Sequence, residues 1–100
     1  MNPVALTPEE AKRRILEILQ DGEVQPTWHC RTERMPERGA TMRDVLHVLR
    51  GGEIRRAAEW DEQHGEWKYR VEGADIEGDE LIAITVILTA QMRLVIVTVF

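Results

Sequence analysis

Two stretches, LIAITVILTA (Leu81–Ala90) and LVIVTVF (Leu94–Phe100), decide the fold. Both are dense in Ile, Val and Thr, whose branched side chains suit a pleated surface, and both are nearly apolar on either face. That pattern predicts strands in the middle of a sheet, covered on both sides or lying at an interface. The short AQMR link, Ala90–Arg93, makes them a hairpin. Gln91 and Arg93 also interrupt the apolar run, so it is no candidate for crossing a bilayer.

Working backward, the period stays at 2. Trp67, Tyr69 and Val71 alternate with Lys68, Arg70 and Glu72, which predicts a strand over Trp67–Gly73. Another is expected over Ile54–Trp60, joined to it by the polar turn DEQHGE. ADIEGDE, Ala74–Glu80, spaces its acids like the start of a calcium loop. Gly78 is misplaced for one and Val86 stands where the last ligand belongs, so a solvated turn is expected.

Upstream of Glu53 the period becomes helical. Thr7, Pro8 and Glu10 form a capping-box start, Ala11, Ile15, Ile18 and Leu19 recur at helical spacing, and Asp21-Gly22 stops the run. Thr41 and Asp44 repeat the capping pattern ahead of Met42, Val45, Leu46 and Leu49, and Gly51-Gly52 ends that helix. Between the two, Pro26-Thr27 opens a short helix to about Met35, which Pro36 and Gly39 should terminate. Helices followed by a meander predict one α+β domain over residues 1–100, with the N-terminal helices packed on an antiparallel sheet of about four strands.

The net charge of -5 argues against nucleic-acid binding, but the charge is unevenly spread. Residues 31–56 carry seven Arg against four acids, whereas residues 59–80 carry nine acids against Lys68 and Arg70. A local basic surface can therefore exist on an acidic chain. A lone Cys30 and the absence of a basic, then apolar, leader predict a cytoplasmic setting. No paired-Cys motif, phosphate loop or GxSxG elbow is present, and no metal or cofactor is expected.

The candidate site is TWHCRTERMPERGA, Thr27–Ala40. On a helix Arg31, Arg34 and Arg38 gather on one face, where their rigid donor forks can cradle a phosphate. His29 is the side chain here whose ordinary pKa suits proton transfer near neutrality. On an ideal helix it aligns with Glu33 rather than Arg34, and the competing reading is a solvated helix whose Arg pair with Glu33 and Glu37. Arg43, His47 and Arg50 can widen a basic surface or merely form an exposed helix face. Trp60, Trp67 and Tyr69 can stack bases or pack a sheet face.

Taken in order, HCRTERMPERGATMRDVLHVLRGGEI, KYRVEG and LVIVTVF resemble the DUF4258 family over roughly residues 27–100. The resemblance implies a fold similar to the RelE and barnase-like ribonucleases, many of them toxins of toxin–antitoxin modules. It points to His29, Arg34 and Arg38 as catalytic residues, with Tyr69 on the neighbouring strand contributing to substrate binding; Arg31, placed on the same helix face by spacing, is expected to bind substrate as well. The expected activity is metal-independent cleavage of single-stranded RNA or mRNA, restrained by an antitoxin protein. The alternative is a non-catalytic protein-binding module or homodimer that uses its apolar C-terminal hairpin.

Overall fold

In a computed structural model that describes residues 3–100, the chain forms α1 (Pro8–Asp21), β1 (Glu23–Pro26), a π turn (Cys30–Arg34) leading into α2 (Met35–Arg38), and α3 (Met42–Gly51). There follow β2 (Glu59–Asp61), β3 (Glu66–Ala74), β4 (Glu80–Leu88) and β5 (Arg93–Val99). The α+β class is as expected, with the helices packed on the sheet. The five strands run in the order β1-β5-β4-β3-β2. Among the described residues no helix is long and apolar enough to cross a membrane.

The sheet differs from the expected antiparallel meander in being mixed, because β1 pairs in parallel with β5, from Glu23↔Arg93 to Pro26↔Ile96. EVQP is too short to display a period, and its proline fits only an edge, where the missing N–H disrupts no ladder. Of the strand expected over Ile54–Trp60 only β2, Glu59–Asp61, forms, and a single bridge, Glu53↔Glu72, lies just before that stretch. The hairpin link is a short 3-10 turn, Thr89–Gln91, closed by Met92 in the left-handed region.

Register separates the two faces of the sheet. Val71 lies opposite Ala83, which lies opposite Val99, while Thr85 lies opposite Ile96 and Ile87 opposite Leu94. This side receives Ile15 and Ile18 of α1, Met35 of α2, and Val45, Val48 and Leu49 of α3 to make the core. The other side carries Lys68, Arg70 and Glu72 of β3 beside Ile82, Ile84, Val86 and Leu88 of β4. The long helices pack on the opposite side, and from the central helical segment Arg34 and Arg38 reach only the margin of this one, at Thr98 and beside Ile82 and Phe100.

Both long helices begin as the sequence predicts. Thr7 accepts from the Glu10 N–H and Glu10 answers the Thr7 N–H, and Thr41 and Asp44 repeat the exchange. Lys12 then joins the helices, its Nζ donating to the Leu49 and Arg50 carbonyls at the end of α3, where a cation suits the dipole. Burial lowers the Lys12 pKa, opposed in part by Glu53.

Candidate functional site

Thr27 sets the start of the central helix. Its N–H donates to the Ile96 carbonyl, its hydroxyl donates to the Val97 carbonyl, and the same oxygen accepts from the Cys30 N–H. The helix is thus capped and fastened to β5 at one residue. Cys30 and Met35 are both buried in the core, and the Met35 N–H bonds to the Cys30 carbonyl, a five-residue step. Pro36 lacks an N–H and its ring crowds the preceding turn, so a wider turn just before it relieves a conflict that an unbroken α-helix would carry. The helix therefore continues through Pro36 instead of ending there, and it stops at Gly39 with φ of 64°.

The π turn re-aims the candidate side chains. Residues five apart come into line, so Arg34 swings toward the His29 side relative to an α-helix. His29 itself pairs through Nδ1 with Glu33 Oε2 at 2.5 Å, the i,i+4 partner that helical spacing predicts. Both groups are exposed. Arg34 donates through Nε to the Thr98 hydroxyl at 3.2 Å and meets Glu37 at 3.4 Å. Arg38 reaches the Glu80 carbonyl at the start of β4. Arg31 is exposed and has no hydrogen bond or ion pair among the described residues. Arg34 and Arg38 therefore both turn toward the sheet, and Arg31 alone of the three has a free guanidinium.

Charge around these groups is mixed. Arg38 shares a depression of about 590 Å³ with Asp75, Asp79, Glu80, Ile82 and Phe100, so it faces carboxylates as well as solvent. Asp75 is occupied, accepting from the Glu77 and Asp79 N–H groups in the β3–β4 turn. The same turn is tied to α3 by Asp44, which accepts from the Ile76 N–H, and by His47, whose Nδ1 lies 2.8 Å from the Ala74 carbonyl. The N–H bonds from Thr41 and then Ile76 hold the Asp44 carboxyl below its usual range. His47 thus has a tethering contact, while Arg43 and Arg50 stay exposed beside it.

Tyr69 stands apart from the Arg group. It is only 4% exposed, on the core side of β3, and its hydroxyl accepts from the Leu6 N–H ahead of α1. Its ring offers no face to solvent. Trp60 and Trp67 pack edge to face at 5.1 Å, with Trp67 donating to the Pro3 carbonyl. Cys30 is wholly buried, and burial pushes its thiol pKa up, so it is no activated nucleophile. A groove of about 650 Å³ runs along α1 between Leu16 and Ile54 and is lined by none of the candidate residues. No group of three His, Cys, Asp or Glu suited to a metal occurs among the described residues.

Sequence reading overlooked one cluster. Arg56, Lys68 and Arg70 meet on the open face of the sheet, brought there by a loop whose path carries no periodic signal. A family model described as Domain of unknown function (DUF4258) matches residues 26–100. No curated protein and no solved structure matches the chain.

Proposed function

The chain belongs to the DUF4258 family, and from that premise we propose a metal-independent endoribonuclease acting on single-stranded RNA or mRNA, a toxin restrained by a cognate antitoxin protein. A RelE or barnase-like ancestry is part of the same proposal. The observation that supports it is the His29–Glu33 pair on an exposed, Arg-bearing helix. With Glu33 accepting from Nδ1–H, the neutral imidazole keeps its lone pair on Nε2.

In the proposed reaction Nε2 takes the proton of a ribose 2'-hydroxyl. That oxygen bonds to the adjacent phosphorus as the bond to the 5'-oxygen breaks, and the imidazolium or water returns a proton to the leaving oxygen. Arg31 is the guanidinium placed to meet the phosphoryl charge without first giving up a partner. Arg34 would exchange Thr98 and Glu37 for phosphate, and Arg38 would exchange Glu80.

The test is cleavage of a single-stranded RNA oligonucleotide by purified protein in the presence of a chelator. Cleavage by the wild type is expected, with a loss of about 100-fold or more in His29→Ala. Glu33→Gln should retain more activity than His29→Ala. Equal cleavage by wild type and His29→Ala removes the mechanism.

A second reading is favoured by the sheet's open face, where Ile84, Leu88 and Val95 are half-buried without a helix over them and Phe100 is exposed. There the chain would be a non-catalytic module that binds a protein or a second copy. A monomer by light scattering across a wide concentration range counts against the homodimer.

A further inference from the structure

On the open face, β2 and β3 place Glu59 opposite Lys68, and β3 and β4 place Arg70 opposite Ile84. The segment that precedes β2 brings Arg56 and Ala57 over these residues, and together they enclose a cleft of about 50 Å³. Three cations line it beside Glu59; Lys68 is also paired with Asp61 and Arg70 stands near Glu72, which leaves Arg56 as the cation with no ion pair among the described residues. Arg70 is the fixed element. Its guanidinium lies 5.0 Å from the centre of the Phe100 ring, and its Nε–H is buried with no hydrogen-bond partner. The nearest carboxylate oxygen, on Glu72, is 3.8 Å from that nitrogen, too far for a hydrogen bond.

A buried cationic donor without an acceptor is costly, and native structures rarely leave one unmatched unless a ligand or water completes it. We infer that this cleft is a binding site for a phosphoryl oxyanion. Its volume decides the size of what enters. At about 50 Å³ the cleft admits a few water-sized groups and not a whole base or sugar. The edge of a tetrahedral phosphoryl group fits that room, offering two oxygens to the fork of Arg70 with Arg56 and Lys68 supplying charge. Lys68 also holds Asp61 at 2.9 Å, which fixes the ammonium at the cleft wall. The site is separate from His29 and does not depend on the proposed cleavage. A backbone phosphate and a free phosphate share this chemistry.

The experiment is titration of the whole chain with inorganic phosphate at constant ionic strength, followed by NMR through the Arg70 Nε–H and the backbone amides of Lys68 and Arg70. Movement of these signals is expected, with affinity falling about tenfold in Arg56→Ala and in Arg70→Lys. Arg56 is exposed, so its removal leaves the fold intact, and Arg70→Lys keeps the charge while removing the fork. A second arm uses a 2'-deoxy oligonucleotide with unphosphorylated ends, which cannot be cleaved by the 2'-hydroxyl route. Binding of that oligonucleotide identifies the source as backbone, and binding of inorganic phosphate alone identifies a free phosphate. Arg70 signals that do not move with either probe, or affinities equal in wild type and both variants, overturn the inference. Movement at Arg70 with no cleavage of RNA leaves the anion site standing and sinks only the ribonuclease.

Discussion

Asp61 shows how one side chain can organise a neighbourhood. Its carboxylate meets Lys68 at 2.9 Å and His64 at 2.7 Å, and these bonds, Lys68 first, hold its pKa far below the usual carboxylate range. The sign follows from linkage. A carboxyl whose folded pKa lies below its unfolded value, about 3.9, stabilises the fold above that value, and the contribution fades as pH falls from there through the folded pKa. Melting wild type and Asp61→Asn across pH should reveal a gap at pH 7 that narrows steadily below about pH 4. A gap that stays constant into acid assigns the effect to shape rather than charge. His29 is a parallel case on the helix, because its i,i+4 partner Glu33 was legible from spacing alone. The contact of Arg38 with Glu80, 42 residues away, was not, since no local period encodes it.

Helix ends were the most legible elements. Capping chemistry is local: Thr41 and Asp44 satisfy each other within four residues, so the pattern survives any tertiary setting. Helix interiors and short strands were less so. Pro36 reads as a stop, yet burial of both Cys30 and Met35 favours a widened turn that lets the helix run on to Gly39. Two glycines close these elements for different reasons, and their substitution should separate the reasons. A Cβ at Gly39 meets nothing within 4 Å, and its φ of 64° is the difficulty, so Gly39→Ala should cost about 1 kcal/mol. Gly52 has an ordinary φ of -80°, but a Cβ there would lie 2.6 Å from the Val48 carbonyl oxygen and 2.7 Å from that of Glu72. Backbone cannot yield as a flexible side chain can, so Gly52→Ala should cost more, about 3 kcal/mol. Urea unfolding of both variants checks the order, and the reverse order contradicts this account.

At the scale of the molecule, the family match begins at residue 26, yet α1 before it is part of the core. Ile15 and Ile18 are buried to within 1% against the sheet, and Lys12 closes the end of α3. Ile15→Ala should therefore destabilise the whole domain by about 3 kcal/mol in a single cooperative transition. A separate early transition, or a change below about 0.5 kcal/mol, would mean that α1 folds on the rest without supporting it. The sequence by itself determined the helices, the C-terminal hairpin and the α+β class, because capping, period and β-branching act over a few residues. It also marked the Arg-rich helix as the place to look for chemistry. Only the tertiary structure decided that EVQP pairs in parallel with β5, that Tyr69 turns inward, and that Arg56 comes to lie over Lys68 and Arg70. Those outcomes depend on contacts between residues far apart in the chain, where burying shared apolar surface and pairing an exposed strand edge outweigh any local preference.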